Sequence, residues 1–155
     1  MAKPSSARWC IHSAAVTSMA KAKIPLYGPS RKVEGQIPNT KFMTYQTKSY
    51  REMYQVPNQR FDTKFLRGVN GIKMDIEGAE HSILDSFPKL PDSVTKMVME
   101  YHFIKDRSMS KFHARMDNLR KHFSSVNYPQ NLDDLRDRGI EEFPHFFDRL
   151  VFCLR

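Results

Sequence analysis

The sequence predicts an α/β fold built on a mostly parallel sheet with helices on both faces. Strand-like and helix-like periodicities alternate through residues 71–155, one strand of the series is apolar throughout its centre, and Gly- or Pro-bearing turns separate the elements. With 155 residues, 40% of them hydrophobic, and a mean hydropathy of -0.59, the chain is sized for one globular domain. No apolar run approaches the roughly 18 residues that cross a bilayer, so no membrane span is expected.

The elements follow in order. Trp9, Ile11 and Ser13 alternate with Cys10, His12 and Ala14, and Ala15-Val16 follow, which reads as a short strand inside a basic segment over 1–23. Residues 24–70 carry Pro25, Gly28, Pro29, Gly35, Pro38 and Pro57 and read as irregular loops with short strands, with a helical turn from Thr47 to Tyr54 capped by Ser49. The pattern then sharpens. Ile72 to Glu77 is a strand, Gly78 a turn, and Ala79, Ile83, Leu84 and Phe87 the apolar stripe of a helix that Pro88 and Pro91 end.

Val94 to Phe103, with Met97-Val98-Met99 at its centre, is a second strand of the kind buried on both faces. A helix over 110–123 buries Phe112, Met116, Leu119 and Phe123 and turns Arg115 and Lys121 outward. A strand at Ser125 to Tyr128, a polar helix or loop at Leu132 to Arg138 and a closing strand from Arg149 to Leu154 complete a core over 71–155. Phe143, Phe146 and Phe147 read as core.

In an open parallel sheet, ligands bind beyond the carboxyl ends of the strands. Alternation puts Lys73, Asp75 and Glu77 on one side of their strand and Val98, Glu100 and His102 on one side of the next. If the two are neighbours, Asp75, Glu77, Glu100 and His102 meet at one crevice. His102 beside Glu100 then reads either as a general base oriented by a carboxylate or as a satisfied surface histidine. Glu77 or Glu80 reads either as a carboxylate at the N-terminus of the following helix or as part of the site. Asp75, Glu77 and Glu100 offer oxygen ligands to a divalent ion, but such clusters are common without one and no metal is assigned. His12, His81, His113, His122 and His145 lack acidic company and read as structural or solvent-facing. Lys105 and Arg107 could meet a phosphate or an acidic substrate.

The string Gly71-Ile72-Lys73-Met74-Asp75-Ile76-Glu77-Gly78-Ala79-Glu80 resembles the K-I-D-V-E-G-A-E strand and turn of FkbM-type methyltransferases. Met99-Glu100-Tyr101-His102 resembles that family's next strand, and His12-Ser13-Ala14-Ala15-Val16 the short strand near the cofactor's adenine. The resemblance implies a Rossmann-like methyltransferase sheet, S-adenosylmethionine as methyl donor, and transfer to a hydroxyl of a small-molecule, glycan or lipid acceptor. It places Asp75 and Glu77 beside the methionine end of the donor, Ala14 and Ala15 near its adenine, and His102 with Glu100 at the reacting hydroxyl.

It also implies that the fold is incomplete. The glycine-rich first turn and the acidic residue that binds the ribose should precede Ala14, and only thirteen residues stand there. In the usual order 3-2-1-4-5-7-6 the first strands are missing, which leaves an open edge at Ile72 to Glu77 for a second polypeptide to complete.

The formal net charge is +8, and residues 1–33 hold Lys3, Arg8, Lys21, Lys23, Arg31 and Lys32 with no acid before Glu34. That composition suits an organelle transit peptide or a basic arm on RNA, although the strand-like alternation argues against both. A nucleic-acid- or anion-binding protein, or a non-catalytic partner subunit, is the alternative class. The two cysteines, Cys10 and Cys153, form no paired metal spacing and read as reduced thiols of a cytoplasmic protein.

Overall fold

A computed structural model of the chain describes residues 15–29, 50–103, 106–143 and 148–155. Among them the chain forms β1 (Ala15–Thr17), β2 (Lys23–Pro29), β3 (Tyr50–Arg60), β4 (Gly71–Met74), α1 (Glu80–Asp85), β5 (Lys96–His102), α2 (Met109–Arg120), β6 (Ser125–Asn127), α3 (Asn131–Asp137) and β7 (Asp148–Leu154). The strands make two sheets. One has three strands in the order β1-β3-β2, the other four in the order β4-β5-β7-β6.

The four-stranded sheet mixes parallel and antiparallel pairing, with β7 alone running against the other three strands. In the four-stranded sheet β4 and β5 are parallel, from Gly71 opposite Lys96 to Met74 opposite Met99. β7, however, lies antiparallel to both β5 and β6. The reason is topological: β7 enters the slot between β5 and β6 from the far end, and a strand inserted that way must run against both neighbours. Alternating helices and strands in the sequence do not reveal such a reversal.

The irregular stretch expected over 24–70 contains the longest of the described strands. β3 pairs antiparallel with β2 along Tyr50 to Pro57 and then parallel with β1 along Asn58 to Arg60. The helical turn expected at Thr47 to Tyr54 is thus overturned for residues 50–54, because pairing with β2 satisfies backbone groups that a single turn would leave open. Pro57 fits because it sits where β3 exchanges one partner for the other, so its missing N–H interrupts the ladder at a junction. The side chain of Asn58 fastens that junction by donating to the carbonyls of Met19 and Lys21.

The core lies on one face of the four-stranded sheet. Met97, Met99 and Tyr101 of β5 and Val151 and Cys153 of β7 are all buried there, against Ile83 and Leu84 of α1, Phe112, Met116 and Leu119 of α2 and Leu132 of α3. Helix α2 starts where Ser108 accepts from the Lys111 amide, as an N-cap should. The ring of Phe112 sits edge-on to Tyr101 and Tyr128 at 5.0 and 5.1 Å, and Phe103 stacks on Phe143 at 4.5 Å. Phe143 is core as expected, while Phe146 and Phe147 lie outside the described residues.

The opposite face of the same sheet is open. Leu150, Phe152 and Leu154 of β7 are 49%, 45% and 53% exposed, and by register Val98 and Glu100 of β5 share that face with them. Helices on both faces were expected; the three described helices all serve one.

Arg115 also departs from expectation, since it is buried rather than outward. It falls three residues after Phe112 and four before Leu119, on the buried stripe of α2. Its guanidinium donates to both carboxylate oxygens of Asp85 at 2.7 and 2.9 Å and to the Tyr101 hydroxyl at 2.7 Å. Burial works against its charge, but Asp85 and Tyr101 more than offset that and hold its pKa above the ordinary value. Burial pushes the Tyr101 hydroxyl up to about 12, so it stays protonated and accepts the bond from Arg115.

Candidate functional site

β4 stops pairing at Met74, so Asp75, Ile76 and Glu77 form the turn that carries the chain from the sheet into α1. Glu77 has φ 51° and Gly78 φ 89°. Left-handed geometry is natural for glycine and costs roughly 1 kcal/mol for a residue with a side chain. The turn holds Glu77 there with its carboxylate directed at the end of β5.

His102 is the last residue of β5 and only 1% exposed. Its Nδ1 lies 3.1 Å from Oε1 of Glu80, and the same oxygen accepts the His102 backbone N–H at 2.7 Å. Oε2 of Glu80 accepts the Gly78 amide at 2.8 Å. A fully buried carboxylate therefore ties the turn after β4 to the tip of β5. Because a carboxylate is acceptor-only, its contact with Nδ1 makes that nitrogen the proton-bearing one. The other ring nitrogen, Nε2, faces Glu77 Oε2 at 3.7 Å and Asp75 Oδ1 at 4.0 Å. His81 completes the frame. Its Nε2 meets the His102 carbonyl at 2.8 Å, and burial lowers its pKa while Glu80 pulls the other way.

The structure thus brings together Asp75, Glu77 and His102, three of the residues that the alternation assembled. It does not join Glu100 to them. Glu100 lies on the His102 side of β5, opposite Leu150, and among the described residues no hydrogen bond or ion pair links it to His102. The carboxylate that orients the ring is Glu80. A signal for it was present: Glu80 falls three and four residues before Ile83 and Leu84, on the buried stripe of α1, and an acid on such a stripe needs a partner.

The family model described as the methyltransferase FkbM domain matches residues 14–128. The chain belongs to that family. The match takes in β1 through β6 and the whole Asp75–Glu77–His102 cluster, and ends before β7. No curated protein and no solved structure matches the chain. As an FkbM domain, the protein is a methyltransferase in general terms, and the strand-end cluster is where its fold gathers acid and base groups.

The remaining expected site residues lie elsewhere. Ala15 opens β1, paired with Asn58 of β3, and Ala14 lies outside the described residues. Beside β1 an apolar cavity of about 280 Å³ runs along the outer edge of β4, lined by Val16, Phe61, Leu66, Ile72, Met74 and Ile83. Among the described residues β4 pairs with β5 alone. Arg107 pairs with Glu142 at 2.9 Å. Lys105, His12 and His145 lie outside the described residues. His113 and His122 both have lowered pKa values, with burial the largest cause.

Proposed function

We propose that this chain is the acceptor-side half of an S-adenosylmethionine-dependent O-methyltransferase, and that a donor-binding half from outside this sequence completes it. The observation that carries the reading is the coincidence of three incomplete surfaces. Among the described residues β4 offers a bare edge, an apolar cavity flanks that edge, and no helix lies over the sheet face bearing Leu150, Phe152 and Leu154. Edges and apolar faces of this kind are normally paired or covered. A further strand beside β4, followed by a helix, would close all three.

The residues present do not make a whole donor site. The six glycines, at 28, 35, 68, 71, 78 and 139, include no G-x-G spacing, and among the described residues no glycine-rich turn leads from a strand into a helix where a nucleotide could lie. S-adenosylmethionine supplies a methyl group already activated by its sulfonium. What this chain contributes is the acceptor's side: in this reading His102 and the carboxylates beside it take the proton from a hydroxyl, with Glu80 fixing the ring. Asp75 and Glu77, at the motif positions of the family, border the methionine end.

Isothermal titration of the chain with S-adenosylmethionine tests the reading. Weak or absent binding by the chain alone is expected, whereas tight, stoichiometric binding would overturn the idea that the donor site lies elsewhere. Methyl transfer to a hydroxylated acceptor by the completed protein, lost on His102→Asn, is the positive counterpart.

A further inference from the structure

We infer that Asp75, Glu77 and His102 form a site for one divalent transition-metal ion, with Glu80 as the group that presents the imidazole to it. The inference rests on the functional reading above only for what would approach the ion; the ion itself is argued from geometry and charge.

One ligand atom from each of Asp75, Glu77 and His102 lies within 4.8 Å of the others. An ion held at about 2.0–2.2 Å from nitrogen and oxygen ligands would need these groups to close by side-chain rotation alone. The ring is set for it. Its Nδ1 is bound to the buried carboxylate of Glu80, which directs the lone pair of Nε2 into the space between Asp75 and Glu77. Binding the far nitrogen of an imidazole to a carboxylate is how proteins orient a metal-binding histidine and make it a stronger ligand.

Charge points the same way. Three carboxylates, Asp75, Glu77 and Glu80, crowd one imidazole, and two of them face its Nε2. The ammonium of Lys73 reaches Asp75 only at 4.0 Å from a side chain that is 80% exposed, so it offsets little. A doubly charged ion would sit where the donor atoms of all three residues converge. Asp75 and Glu77 are 39% and 20% exposed, which leaves the ion an open side. An imidazole with two carboxylates suits manganese, iron(II) or zinc better than the all-oxygen chemistry of calcium or magnesium. An acceptor hydroxyl arriving from the open side would then meet the ion.

Titration of the chain with Mn²⁺, followed by the loss of the free-ion electron paramagnetic resonance signal, tests this. One ion per chain is expected. Asp75→Asn and Glu77→Gln, both in partly exposed positions, should abolish binding or weaken it at least about tenfold, and Glu80→Gln should weaken it about tenfold through the ring. Asp92→Asn, at a fully exposed site away from the cluster, should leave it unchanged. Thermal melting of each variant separates lost ligands from lost folding. No binding by the folded chain, or binding that survives both Asp75→Asn and Glu77→Gln, overturns the inference. Neither result bears on donor binding or methyl transfer, which are read separately.

Discussion

The two faces of the four-stranded sheet are built from the same strands, yet they behave as parts of different proteins. On one, Met97, Met99, Tyr101, Val151 and Cys153 alternate inward and are sealed by α1, α2 and α3. On the other, Leu150, Phe152 and Leu154 alternate outward into solvent. The first face is a finished core that should carry the stability of the chain. The second sets three apolar side chains among polar neighbours such as Lys96 and Glu100, with no described helix over it, so it should contribute little to the fold of the isolated chain.

The largest effect should come from the finished side. Phe112 is fully buried between Tyr101, Phe103 and Tyr128, and Phe112→Ala should destabilise the chain by about 3–5 kcal/mol in urea unfolding. A loss under 1 kcal/mol would mean that the helices do not seal that face.

Glu80→Ala should come next, at about 3 kcal/mol, because it strips the Gly78 and His102 amides of their acceptor inside the protein. Stability unchanged by this substitution would show that the link between the turn after β4 and the tip of β5 is not a fastening.

A smaller effect follows from pH. His81 and His113, on the helical side, have pKa values lowered from 6.5 mainly by burial. In the folded state they resist protons that the unfolded chain accepts, so their contribution is intact above pH 6.5 and is lost as pH falls through the lowered folded values. Unfolding free energy should therefore fall as the solution is acidified from pH 7, and His113→Gln should flatten that slope. A slope unaffected by removing either histidine contradicts their burial in neutral form.

The smallest effect belongs to the open face. Phe152→Ser should change the stability of the isolated chain by no more than about 0.5 kcal/mol, because the side chain is already half in water. The same substitution should raise the concentration at which the chain stays soluble, measured by light scattering. A large loss of stability would mean that something covers this face, and would remove the contrast from which the acceptor-side reading was drawn.

The order of elements from Gly71 onward, the inward residues of β5 and α2 and the convergence of Asp75, Glu77 and His102 were legible in the sequence. The first two rest on local periodicity, a property of neighbouring residues; the third is reached by a turn, since β4 ends at Met74 and Asp75 and Glu77 lie beyond the strand on which alternation put them. The long strand β3 was hidden because its partners β1 and β2 lie far away in the chain, and proline and glycine in the intervening stretch mimic loop composition. Arg115 looked like an outward charge because its partner Asp85 is thirty residues distant, and its burial depends on that pairing.

By itself the sequence determined the family, through the strand and turn from Gly71 to Glu80, and the period that sends each side chain in or out. Only the tertiary structure decided that β7 runs against β5 and β6, that Glu80 and not Glu100 holds His102, and that no described helix covers Leu150, Phe152 and Leu154. Periodicity is set by bonds along the chain, whereas partners and cover are set by which distant segments arrive to meet it.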